Sequence, residues 1–175
     1  MSPAAPASSV GVCSFGRAQS QRCPNKMLRP FGETTLTDIV LQKLAHLPYE
    51  SFFAGYEEAF RSKSEQAGVR FIQRDQRSVT IDEPIRDILS FLEQVHHEQI
   101  LIINPCLPFL KVQTILRFLE QCQSAGCWSA FGVMRRQNYF LGLDRLAVNF
   151  DMTAHTINTK TVAPIHEFAH ALYFF

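Results

Sequence analysis

Residues 10–32 read VGVCSFGRAQSQRCPNKMLRPFG, an apolar run that opens into a long polar and cationic loop. Val10 to Phe15 has the content of a buried strand, and helical spacing resumes only near Thr35. A long loop leaving the carboxyl end of a strand is where open α/β sheets bind their ligands. The loop offers Arg17, Arg22 and Lys26, the Ser20 hydroxyl and several backbone N–H groups. Together these can cradle a triphosphate through charge-assisted hydrogen bonds. The Walker pattern GxxxxGK[ST] is absent. On charge alone, such a cluster more often marks a solvated basic turn.

Further strand-like runs occur at Ser51 to Ala54, Val69 to Gln73, Gln99 to Asn104 and Trp128 to Met134. Between them, Leu36, Ile39, Val40 and Leu44 form one helical face. Ile85, Ile88, Leu89 and Leu92 form a second, and Ile115, Phe118 and Leu119 a third. Strands alternating with helices predict βαβ crossovers and a Rossmann-like α/β fold, a mostly parallel sheet with helices on both faces. QILIIN (99–104) does not alternate and predicts a central strand. After Arg135, YFLGL and LAVN are short strand candidates, and HALYFF predicts a final strand after a late antiparallel excursion. A single domain over 1–175 is expected, with residues 1–8 disordered.

The chain has 175 residues, 46% hydrophobic and 19% charged, which suits one folded core. Its net charge of +1 gives no reason to expect nucleic acid or a membrane surface as partner. Arg17, Arg22, Lys26 and Arg29 all precede the first acidic residue, Glu33, so a local positive field suits a small anion. Five cysteines without CxxC spacing argue against a disulfide framework or a structural zinc. No stretch has the roughly 20 apolar residues that span a bilayer, and MSPAAPASS lacks the features of a secretion signal. A reducing, cytoplasmic location is expected.

GRAQSQRCPNKMLRPFG (16–32) is similar to the signature loop of the acylneuraminate cytidylyltransferases, of the form ARGGSKRIPxKNLxxFxG, with Arg17, Ser20, Arg22, Pro24 and Lys26 matching. TLTDIVLQKL (35–44) resembles the family's first helix and VRFIQR (69–74) its third strand. ILIINPCLPFLKVQTI (100–115) resembles its VVxLxPTSPLRxxxDI turn, and INTKTVAPIHEFAHALYFF (157–175) a late segment of the form NTQDLxPxYxENGAxYIF. The resemblance implies a nucleotide-diphospho-sugar transferase fold. It also implies transfer of CMP from CTP, with magnesium, to the anomeric hydroxyl of a sialic-acid-like sugar, releasing pyrophosphate. Carried over by position, Arg17 and Lys26 would be catalytic. Phe15, Gly16, Arg17, Ser20, Arg22, Lys26, Arg74 and Asn104 would bind the nucleotide. Family members are commonly homodimers, and the stretch from Tyr139 to Ile157 is expected at such an interface.

The pattern also breaks. Met27 stands where the family has asparagine, and Leu110 where it has arginine. Cys106 stands where the related Kdo cytidylyltransferases have a metal-binding aspartate, and a thiol is a poor magnesium ligand. Family members continue beyond the segment that HALYFF resembles with an aspartate-rich tail, which leaves a non-catalytic homologue as the alternative. A rival motif is HEFAH (166–170), an HExxH match that on a helix would bind zinc. Only ALYFF follows to supply a third ligand, and the segment reads as a strand.

Overall fold

A computed structural model of the protein describes residues 10–20, 23–80, 84–154 and 158–175. The expected disorder of residues 1–8 and the candidate Arg22 lie outside them. The chain runs β1 (Val10–Phe15), β2 (Pro30–Phe31), β3 (Thr34–Thr35), α1 (Leu36–Ala45), β4 (Glu50–Gly55), α2 (Glu58–Gln66) and β5 (Arg70–Gln73). A 3₁₀ turn (Arg77–Val79), the single-turn α3 (Ile85–Ile88) and a 3₁₀ segment (Ser90–Gln94) follow. The chain ends with β6 (Gln99–Ile103), α4 (Val112–Ser124), β7 (Ala130–Arg136) and β8 (Ile165–Phe174).

Six strands are hydrogen-bonded in the order β5-β4-β1-β6-β8-β7, and β5, β4, β1 and β6 run parallel while β8 is antiparallel to β6. This is the mostly parallel, Rossmann-like sheet that the sequence predicts, with QILIIN inside it. From β1 the connection first moves to β4 and β5 on one side, and β6 then returns to β1's other flank. The carboxyl ends of β1 and β6 therefore border a topological switch point, where such sheets open a crevice.

The described chain divides into two compact units, Met1–Ala130 with Ala171–Phe175, and Phe131–His170. In the first, Val10, Val12, Phe53, Leu101 and Ile103 face one side of the sheet and pack with Val40 and Leu44 of α1 and Ile115 and Leu119 of α4. Cys13, Phe52, Ile72 and Ile102 face the other side and are covered by Phe91 and Val95. At about 25 cal/mol per Å² of apolar surface, these two layers supply the main drive for folding. Burial pushes the Cys13 thiol up to about 12, so this cysteine is a core side chain and an unreactive one.

Helix α1 starts where Thr35 Oγ1 accepts the Asp38 N–H at 3.1 Å. Helix α2 leaves no periodic signal in the sequence because Phe60 is its only large buried side chain. The face expected over Ile85 to Leu92 does not form a continuous helix: α3 lasts one turn, Ile85 is exposed, and Phe91 is the buried residue. The Ile88 carbonyl there accepts from Arg74 Nη2 at 3.0 Å instead of continuing a helical ladder.

In the second unit, YFLGL and LAVN make only one isolated bridge, Leu141 to Ala147. A turn closed by Gly142 N–H to Leu146 O at 2.8 Å, with Arg145 at φ 65°, uses the residues that longer strands would need. Asn149 pins this unit, its Nδ2 donating to Asn138 O at 2.8 Å and Ala163 O at 2.6 Å. Phe131 stacks on Phe168 with ring centroids 4.4 Å apart.

Candidate functional site

The loop after β1 is anchored at both ends. Gly16 N–H donates to Ala54 O at 3.0 Å, which continues the β1 to β4 pairing by one residue. A Cβ at Gly16 would come within 3.2 Å of the Phe53 ring, so the chain passes close over the core there. At the far end, the Thr37 N–H and hydroxyl both donate to Met27 O, at 3.1 and 2.7 Å. Met27 itself is buried, so its side chain serves the core. Between these anchors the loop folds on itself, with Asn25 N–H donating to Ala18 O at 3.0 Å and Asn25 at φ 54°, a conformation asparagine tolerates.

Three consecutive residues at the start of the loop are held by three different parts of the first unit. Gly16 O accepts from Arg74 Nη1 at 3.3 Å. Arg17 Nη1 donates to Val79 O and Thr80 O at 3.2 and 3.0 Å. Ala18 N–H donates to Glu57 Oε1 at 3.0 Å. Among the described residues, the bonds of Arg17 use one amino group of its guanidinium, Nη1.

Arg74, which the resemblance would put on the nucleotide, is 3% exposed. Its guanidinium donates to Gly16 O, to Ser78 Oγ at 3.2 Å, to Ser78 O and to Ile88 O. It also lies over the Phe15 and Phe91 rings, 5.2 and 5.8 Å from their centroids. Burial pulls its pKa down to about 10, and the like charge of Arg17 adds to that, while Asp75 and Glu57 oppose it. Arg74 is thus a charged hub that joins the loop to the turn after β5, and it remains protonated at neutral pH.

Among the other candidates, Phe15 is half-buried and packs on Phe91 at 5.4 Å. Ser20 and Lys26 are half-buried, and their side chains take no protein partner among the described residues. Arg29 is exposed and donates to Cys23 Sγ at 3.7 Å. Asn104 directly follows β6, and its Oδ1 accepts the Cys106 N–H at 2.9 Å, shaping the turn NPCLP. Lys43 of α1 clamps that turn by donating to Leu107 O and Pro108 O at 2.8 and 2.9 Å. Ser14, one residue before the end of β1, donates to Ile103 O at 2.8 Å and ties the two strand ends together.

Beside the loop lies an open recess of about 180 Å³ lined by Gln19, Tyr56, Glu57, Gln76, Val79 and Thr80. Sequence reasoning does not single out Glu57, because its partner Ala18 is 39 residues away and α2 leaves no periodic signal. HEFAH lies in β8, so His166 and His170 do not share a helical face, and His170 sits at φ 49°. Among the described residues no group of three or more His, Cys, Asp or Glu is placed to hold a metal ion. No helix among them is long and apolar enough to cross a membrane.

Comparison with curated protein sequences gives no match. Among solved structures, the chain is similar to CMP:2-keto-3-deoxy-manno-octonic acid synthetase complexed with CTP, with TM-score 0.69 and 11% identity over 96% of this chain and 74% of that one. It is also similar to a cytidylyltransferase from Leptospira borgpetersenii serovar Hardjo-bovis, with TM-score 0.53 and 18% identity over 65% of this chain and 48% of that one. A third is the 4-diphosphocytidyl-2C-methyl-D-erythritol synthase of Anaerococcus prevotii, with TM-score 0.60 and 10% identity over 95% of this chain and 70% of that one. At these identities the likeness establishes the fold. The MobA-like NTP transferase domain matches residues 16–154, a span that begins at the loop glycine and takes in β4, β5, β6 and the turn after it. With more than half of its length matched, the chain belongs to the MobA-like NTP transferase domain family.

Proposed function

We propose that the chain binds CTP at the loop after β1 and transfers CMP to the anomeric hydroxyl of a sialic-acid-like sugar acid. The observation that carries this reading is the placement of the cationic loop 16–29 at the switch point between β1 and β6. The hydroxyl oxygen of the acceptor forms a bond to the α-phosphorus and gives up its proton to water, the bond to the bridging oxygen breaks, and pyrophosphate leaves. Arg17 and Lys26 bind and neutralise the phosphates, Ser20 and the loop N–H groups orient them, and Phe15 and Gly16 form the floor. Positioning and electrostatic stabilisation supply most of the catalysis in such transfers. Asn104 shapes the β6 side of the site, and Arg74 acts through the loop it braces. Arg22 belongs to the same cluster by sequence.

Magnesium is implied by the resemblance, but the described residues do not fit a protein-held site for it. The end of β6 offers Cys106, a soft donor, where a hard oxygen would be needed. Magnesium that enters with CTP would be held by phosphate oxygens and water, as part of the substrate. Pyrophosphate release with CTP, magnesium and a panel of sugar acids tests the reading, and release with none of them removes the transferase claim.

Cys106 favours a second reading, a non-catalytic homologue that keeps nucleotide binding or pairs with another subunit. Saturable CTP binding without pyrophosphate release would select it. In either reading we propose a homodimer through the second unit, where Leu141, Leu146, Val148 and Met152 are exposed.

A further inference from the structure

We infer that Glu57 is a positioning residue of the phosphate loop, its carboxylate holding the Ala18 amide so that Arg17, Gln19 and Ser20 face an anionic ligand. The functional half of this inference rests on the nucleotide reading above; the structural half does not.

Glu57 stands at the N-cap of α2, where a carboxylate ordinarily bonds the free N–H groups of its own first turn. It makes no such bond. Instead Oε1 reaches across 39 residues of sequence to accept the Ala18 N–H at 3.0 Å. Oε2 is buried and has no hydrogen-bond partner among the described residues. A buried carboxylate oxygen without a partner opposes folding, and such groups persist where their geometry serves another purpose. The purpose is visible in the neighbours. Gly16, Arg17 and Ala18 are each fixed by a different group, Arg74, the turn at Val79 and Thr80, and Glu57. Of these three groups, Glu57 is the one that holds a backbone N–H, that of Ala18, and thereby the direction in which the next residues leave the strand end. Gln19, the first of them, lines the same recess as Glu57 and Thr80.

Charge alone predicts the opposite outcome on mutation. A carboxylate next to a triphosphate site repels the ligand, so on Coulomb's law Glu57→Ala should tighten CTP binding. Positioning predicts that it weakens. Glu57→Gln separates the two, because it keeps an oxygen acceptor for Ala18 and removes the charge.

The test uses the full chain, calorimetric titration with CTP, and hydrogen exchange at the Ala18 amide without ligand. Glu57→Ala should weaken CTP at least about fivefold and speed exchange at Ala18, whereas Glu57→Gln should bind within about twofold of the parent or more tightly, with Ala18 still protected. Glu57→Ala that binds CTP as well as the parent or better, or that leaves Ala18 equally protected, overturns the inference. If Glu57→Ala does not fold, loss of Ala18 protection in Glu57→Gln at an unchanged melting temperature overturns it too. If the parent chain binds no CTP, the nucleotide reading fails, and the exchange measurement still decides whether Glu57 holds the loop.

Discussion

Replacing Arg74 by alanine should destabilise the fold by about 2 to 3 kcal/mol. The guanidinium donates to Gly16 O, Ser78 Oγ, Ser78 O and Ile88 O, and removing it leaves those acceptors in a region that Arg74 itself seals at 3% exposure. At roughly 1 kcal/mol for each orphaned acceptor the gross loss is about 4 kcal/mol. Part is returned, because the variant no longer buries a charge whose pKa is pulled down to about 10. Arg74→Met keeps a stem against Phe15 and Phe91 and should recover about 1 kcal/mol of the loss. Urea unfolding at neutral pH measures both variants, with the shift in midpoint read at constant m-value. A loss below about 0.5 kcal/mol for Arg74→Ala would refute the hub. It would mean that water satisfies those carbonyls as well as the guanidinium does.

Arg17→Ala and Lys26→Ala should each weaken CTP about tenfold or more in calorimetry, while Arg29→Ala, at an exposed position, should cost little. Equal, small and strongly salt-dependent losses at all three positions would reduce the cluster to a diffuse positive field. Asp38 should give a pH signature: burial alone would raise its pKa, but hydrogen bonds from Lys63 and Thr35 and the charge of Lys63 outweigh this and hold the carboxyl below the usual range. Its stabilisation is therefore full above the ordinary aspartate pKa of about 3.9 and is lost as pH falls from there through the folded value. Asp38→Asn should cost about 0.5 to 1 kcal/mol at pH 7 and converge with the parent in strong acid, as thermal melts across pH would show. Sedimentation at micromolar concentration should show a dimer, and a monomer would contradict the assignment of the second unit's exposed apolar side chains.

The sheet was legible because its buried strands are unbroken apolar runs, and VGVCSF and QILII need no partner to be recognised. Helix α1 was legible from its periodic face, in which Val40 and Leu44 are buried. Helix α2 was not, since Phe60 and Ser64 alone are buried in it and periodicity needs more than one large apolar residue. The stretch from Ile85 to Leu92 misled for the opposite reason. It has helical spacing, yet a distant guanidinium claims the Ile88 carbonyl, and no local pattern announces a contact made from 14 residues away. The loop could be found from its charges and its place after β1. Its geometry could not, because it depends on Glu57 and Arg74, which lie 39 and 58 residues from their loop partners and reach them only through the sheet.

Titration of the full chain with CTP in magnesium buffer tests the central claim most directly. The account predicts saturable binding at one site per chain with a dissociation constant between about 1 µM and 1 mM, the range in which enzymes commonly meet their substrates, and loss of that binding in Lys26→Ala. No saturable heat up to several millimolar CTP, or binding that Lys26→Ala leaves unchanged, would contradict it.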